Sequence, residues 1–89
     1  MIFKGLNIPP GRAEYDDANL SWLYTDVSGL ILTSPENADV LRSRMERVVD
    51  RGEEWFKMVA WVGIPNTDPP ERRMSLLTIR SRHLVGVGE

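Results

Sequence analysis

Cysteine is absent from this chain of 89 residues, and histidine occurs once, as His83. Without thiols there is no disulfide, no thiol nucleophile, no iron–sulfur cluster and no zinc site that requires thiolate. One imidazole cannot build a multi-histidine metal site, and no serine lies in the G-x-S-x-G sequence of a nucleophile elbow. The chain also lacks the glycine-rich phosphate loops G-x-x-x-x-G-K-[ST] and G-x-G-x-x-G. These absences predict a protein without metal or cofactor that is not an enzyme.

Long apolar runs are missing as well. The longest ones, such as residues 58–62, are far shorter than the roughly 20 residues that a membrane-spanning helix needs. Residues 1–4 do not lead into the apolar segment of a signal peptide, so we expect a cytoplasmic protein without membrane association. With 42% hydrophobic residues and a formal net charge of -2, the composition fits one small domain over residues 1–89.

The strongest periodicity in the chain is helical. Apolar residues recur on one side of a helical wheel, with charges between them, at Ala38, Leu41, Met45, Val48 and Val49. Residues 33–36, Thr-Ser-Pro-Glu, have the T-x-x-E spacing of a capping box and a proline suited to the first turn. Gly52 is well placed to end the helix. We therefore predict a helix over residues 35–51.

Strand-like patterns account for most of the remaining chain, in residues 1–8, 20–32, 55–62 and 74–82. Residues 26–29 interrupt the second segment, which predicts a bulge or a turn. Residues 53–62 would fit a continued helix, but their aromatic and β-branched composition favours a strand. Residues 85–89 are expected to be a flexible tail. The predicted order β-β-α-β-β gives an α+β two-layer sandwich, with one helix packed on one face of an antiparallel four-stranded sheet.

Aromatic side chains provide the first candidate binding surface. If one face of the sheet packs against the helix, the opposite face carries Trp22, Tyr24, Trp55 and Trp61. Tryptophan, tyrosine and arginine are the residue types enriched at binding hot spots. The alternative is a second, minor core in which the loop of residues 9–19 covers these rings.

Charge is distributed unevenly along the chain and suggests two further patches. The first 40 residues carry six acidic against two basic side chains, and the candidate acidic patch consists of Glu14, Asp16, Asp17 and Asp26. The last 18 residues carry four basic side chains against one acidic one, and the candidate basic patch consists of Arg72, Arg73, Arg80 and Arg82. Each patch suits a partner of opposite charge, unless the two lie against each other within the chain.

The sequence as a whole favours a non-enzymatic protein-binding module, such as a small inhibitor, an adaptor or an accessory subunit. Its partner would be another protein or a second copy of the chain, as in a homodimer. The alternative is a nucleic-acid-associated module that uses the basic patch, although the net negative charge argues against it. An enzyme built on Asp16, Asp17 and His83 is the third hypothesis.

Overall fold

The computed structural model describes residues 14–68 and 71–88 of the chain. Their strands and helix follow in the order β1 (Ser21–Thr25), β2 (Ile31–Ser34), α1 (Ala38–Asp50), β3 (Trp55–Ile64), β4 (Glu71–Arg80) and β5 (Leu84–Gly88). Two short 3-10 turns, Asp17–Asn19 and Ser81–His83, precede β1 and β5. All strand pairs are antiparallel, so the predicted α+β class with one helix is confirmed for the described residues.

The sheet arrangement differs from the predicted single layer of four strands. One sheet has three strands in the order β2-β1-β5, and the other consists of the β3–β4 hairpin. Residues 55–62 belong to β3, which settles the choice between helix and strand for them in favour of the strand. The predicted strand of residues 1–8 lies outside the described residues.

A tight turn divides the segment predicted as one strand over residues 20–32. Ser28 and Gly29 both have positive φ angles, 45° and 72°, and the N–H of Leu30 donates to the carbonyl of Val27. Two successive left-handed residues match the right-handed twist of a hairpin, so β1 and β2 can pair directly. The expected interruption is therefore a hairpin turn.

The C-terminal end is also more ordered than expected. Residues 84–88 form β5 and pair with β1, although most of them belong to the segment predicted as a flexible tail. Val87 lies opposite Leu23 and packs against the hydrophobic core. A short segment of valine and glycine therefore gains its order from a strand far away in the sequence.

Helix α1 begins later than its capping signal predicts. Its N-cap is Asn37, whose side-chain oxygen accepts the N–H groups of Asp39 and Val40. The predicted capping-box residues serve elsewhere, since the Ser34 hydroxyl donates to the carbonyl of Val59 and the Glu36 side chain is buried. Except for Val49, which is 56% exposed, the apolar stripe of α1 faces a core formed by Leu23, Leu41, Val48, Phe56, Met58 and Ala60.

Glu36 joins the helix to both sheets through its buried carboxylate and its backbone carbonyl. Glu36 is fully buried, and its Oε2 accepts the N–H of Val59 at 2.9 Å. The guanidinium of Arg44 on α1 pairs with both carboxylate oxygens and also donates to the carbonyl of Lys57 at 2.8 Å. The hydroxyl of Ser21 on β1 donates to the Glu36 carbonyl. These contacts hold β1, α1 and β3 together at one point.

Neutralising this carboxylate should cost considerable stability. Glu36→Gln keeps the size of the side chain but leaves the Arg44 guanidinium without its counter-charge, and breaking a buried pair costs about 3–5 kcal/mol. We expect a loss near the lower end, about 3 kcal/mol, because the Arg44 side chain is 20% exposed. Urea denaturation measures the change, with Glu46→Gln on the exposed side of α1 as the matched control. Equal losses in the two variants would contradict the structural role given to Glu36.

Candidate functional site

The four predicted aromatic residues do not form one surface. Trp22 and Tyr24 lie on β1, whereas Trp55 and Trp61 lie on β3 in the other sheet. Trp61 is only 8% exposed, because the ring of Tyr15 packs edge-on against it with centroids 5.5 Å apart. The expectation that Trp61 faces solvent is therefore not met, and the alternative of a cover from the preceding loop describes it better.

Trp55 and Tyr24 remain accessible, at 46% and 40% exposure. Trp55 lies directly opposite Arg80 in the β3–β4 register, and the Arg80 guanidinium carbon lies 4.8 Å from the ring centroid. The same guanidinium donates to the carboxylate of Glu54 at 2.6 Å. Trp55 is thus an exposed ring on the side of the hairpin that bears positive charge.

The acidic residues separate into two places. Glu14, Asp16 and Asp17 lie at the 3-10 turn before β1, where the Asp16 carboxylate accepts the N–H of Ala18. That hydrogen bond and a second one from Asn19 lower the pKa of Asp16. The cap therefore stabilises the fold above the ordinary carboxyl pKa, and this stabilisation is lost as the pH falls.

Tyr15 connects this turn to the hairpin. Its hydrogen bond to the neighbouring Asp17 carboxylate and its desolvation raise the pKa of Tyr15, while Arg72 acts in the opposite direction. The Arg72 guanidinium carbon lies 4.6 Å from the centroid of the Tyr15 ring. The acidic turn and the start of β4 are therefore neighbours, in agreement with the intramolecular alternative for these charges.

Asp26 lies apart from the other acidic residues. Its Oδ1 is 2.7 Å from Nδ1 of His83, and Nε of Arg82 is 3.3 Å from Nε2 of the same imidazole. Sequence reasoning did not find the Asp26–His83 pair, because the two residues are 57 positions apart. Both imidazole nitrogens thus have a partner within the chain.

The basic patch is dispersed in the same way. Arg72 contacts Tyr15, Arg80 contacts Trp55 and Glu54, and Arg82 contacts His83. Arg73 is exposed and has no ion-pair partner among the described residues. A second basic group, which sequence reasoning did not single out, comprises Arg44, Arg47, Arg51 and Lys57. The spacing of its three arginines, i, i+3 and i+7 on one helix, is a signal that the sequence does contain.

The outer edge of β4 is the longest stretch of the hairpin that has no strand partner among the described residues. The N–H and C=O of Val59 point away from β4, since they bond to Glu36 and Ser34. Residues opposite each other in an antiparallel pair direct their backbone groups alternately toward and away from the partner strand. Leu76, which faces Val59, therefore points its N–H and C=O to the outer edge. By the same alternation, so do Arg72, Met74, Thr78 and Arg80.

No described residue pairs with this edge, and β4 is the outer strand of its sheet. Leu76, at its centre, exposes 48% of its surface. Natural proteins usually cover or interrupt a long unpaired edge, because its free N–H and C=O groups are a template for another strand. The edge of β4 is thus chemically suited to bind an extended chain.

Metal clusters and membrane-spanning helices are not found within residues 14–68 and 71–88. No group of three or more histidine, aspartate and glutamate side chains there is arranged to hold a metal ion. None of the helices in that part of the chain combines the length and the apolar character that a membrane crossing requires. Comparison with protein-family models, with curated proteins and with solved structures finds no match for the chain.

The two tryptophans of β3 should differ sharply in what they contribute to folding. Trp61→Ala removes a buried ring and its contact with Tyr15, so we expect it to lower the free energy of unfolding by about 3–5 kcal/mol. Trp55→Ala removes a half-exposed ring and one cation–π contact, which predicts a loss of about 1 kcal/mol or less. Urea denaturation of both variants measures this difference. Equal losses would show that the two rings are not packed as described.

Proposed function

We propose that this protein is a non-enzymatic protein-binding module, and that it binds an extended segment of another protein along the outer edge of β4. The observation that carries the proposal is the ten-residue strand β4, which among the described residues pairs only with β3 and exposes Leu76 at its centre. Addition of a strand to an exposed sheet edge is an established mode of peptide recognition, in which main-chain bonds supply affinity and side chains supply specificity.

The charges beside the edge indicate which charges a partner strand would carry. Within β4 the only acidic residue is Glu71, against Arg72, Arg73 and Arg80. Arg73 has no ion-pair partner among the described residues, and the Arg80 side chain remains 43% exposed. The matching partner strand therefore carries aspartate or glutamate toward its ends and an apolar residue at its centre, opposite Leu76.

The same charges disfavour a second copy of the chain as the occupant. Antiparallel pairing of two β4 edges would gather six arginines and only two glutamates along one pair of strands. Like charges across neighbouring strands destabilise a sheet, and charged edges are a common defence against self-pairing. We therefore place an acidic strand of a different protein on this edge.

Two observations separate this proposal from the other hypotheses. Three of the four arginines in the predicted basic patch already contact aromatic, acidic or imidazole groups within the chain, which weakens the support for a nucleic-acid-associated module. The only histidine pairs with Asp26 and Arg82 rather than with Asp16 or Asp17, which weakens the support for an enzyme built on Asp16, Asp17 and His83.

Selection from a displayed library of random linear peptides tests the proposal. We expect the enriched peptides to combine acidic residues with a central apolar residue. Leu76→Asp should raise the Kd of these peptides by about tenfold or more relative to wild-type protein, because the new carboxylate repels the acidic strand. The matched control is Val85→Asp, which introduces the same charge at a valine of β5 that is 62% exposed, and should leave the Kd within about twofold. Calorimetry measures both values.

Hydrogen exchange gives an independent readout of the binding mode. In the free protein the amides of Met74, Leu76 and Thr78 should exchange quickly, whereas those of Leu77 and Ile79, which face β3, should be protected. Bound peptide should slow the first group selectively. The proposal is overturned if those three amides are already protected in the free protein, or if selected peptides bind Leu76→Asp and wild type equally. It is also overturned if the library yields no binder, or if the protein binds single-stranded oligonucleotide instead.

A further inference from the structure

A cationic cleft lies on the opposite side of the hairpin from the β4 edge. It has a volume of about 310 Å³ and lies between the last turns of α1 and the start of β3. Its charged and aromatic lining consists of Arg44, Arg47, Arg51, Lys57, Glu53 and Trp55. The four cations are opposed by Glu53 in the lining and by the buried Glu36 beside Arg44, which leaves an excess of positive charge, although the chain as a whole has a net charge of -2.

The cations of this cleft are only partly neutralised within the chain. Arg44 is fixed in place by Glu36 and by the carbonyl of Lys57. Arg51 lies 4.0 Å from the Glu53 carboxylate, at the limit of an ion pair. The guanidinium of Arg47 and the ammonium of Lys57 have no ion-pair partner among the described residues.

Arg47 lies between two other cations on the same helix. Arg44 and Arg51 lie three residues before it and four residues after it on the same helix, and like charges at these spacings destabilise the helix. The bond from Arg44 to the Lys57 carbonyl also fixes the direction of the β3 backbone, because the N–H and C=O of one strand residue point to the same side. The N–H of Lys57 therefore faces this side of β3, where an anion could accept it.

One wall of the cleft is aromatic. Trp55 lines it with a ring that is 46% exposed and that is held by Arg80 at 4.8 Å. Indole faces stack on flat heterocycles, and this contact tolerates different bases. The cleft therefore offers a surface for a planar ring beside a cluster of anion-binding groups.

We propose that this cleft binds a small organic phosphate, with the phosphate group held by Arg47 and Lys57 and a planar ring against Trp55. The excess of positive charge favours an anion with more than one negative charge, and the arginine fork matches phosphate oxygens bidentately. A volume of about 310 Å³ accommodates a molecule of the size of a nucleoside monophosphate. The phosphate-binding residues Arg47 and Lys57 do not belong to β4, whereas the ring of Trp55 contacts Arg80 of that strand.

Three probes, AMP, adenosine and inorganic phosphate, resolve the two halves of the ligand. Calorimetry on wild-type protein should show AMP binding about tenfold more tightly than phosphate, because only AMP also stacks on Trp55. Adenosine should bind at least about tenfold more weakly than AMP, since charge-assisted bonds to phosphate supply most of the affinity. Trp55→Leu should reduce the preference for AMP over phosphate to about twofold or less.

A matched pair of arginine variants localises the site. Arg47→Gln should weaken AMP binding by about tenfold, whereas Arg73→Gln, the same change at an exposed arginine of β4, should alter it less than about twofold. The proposal is overturned if both variants lose affinity equally, if adenosine binds as well as AMP, or if AMP does not bind up to about 10 mM. At matched ionic strength, added inorganic phosphate should leave the affinity for a β4-binding peptide unchanged, and direct competition would place the phosphate on the β4 arginines and overturn the proposal.

Discussion

The Glu36 carboxylate is the contact on which the arrangement of the two sheets depends. It lies without solvent exposure between Arg44 of α1 and the backbone N–H of Val59 in β3. A buried ion pair of this kind adds little net stability, because desolvation offsets most of the attraction. Its effect is positional, since the carboxylate and the Ser34 hydroxyl occupy the inner edge of β3. Among the described residues, strand β4 is therefore left as the outer strand, with no strand partner on its second edge.

The same contact explains which parts of the fold the sequence predicts and which it does not. The 3.6-residue period of the apolar positions predicts the helix α1, and the aromatic and β-branched residues of β3 identify that strand. The division into sheets of three and two strands depends on Glu36 and Ser34 reaching Val59, which is 23 and 25 residues away. Locally, Glu36 fits a capping box equally well. The sequence pattern cannot distinguish these two uses of one glutamate.

The candidate site shows a similar division between local and distant causes. The strand period correctly puts Trp55 and Trp61 on one face of β3, because alternate side chains point to the same side. It does not reveal that Tyr15, 46 positions earlier in the chain, covers Trp61 and leaves Trp55 exposed. Binding surfaces are defined by what remains uncovered, so they depend on every segment that packs nearby.

Net charge is a poor guide to the ligands of so small a protein. The chain carries a formal charge of -2, yet basic residues outnumber acidic ones within β4 and in the lining of the cleft beside α1. Charges separated by more than a Debye length, about 8 Å at physiological ionic strength, barely influence each other. The acidic turn next to Tyr15 therefore affects the Arg72 end of β4 but not the Arg80 end. At the Arg80 end the guanidinium is already paired with Glu54, so the arginine of β4 without an ion pair among the described residues is Arg73.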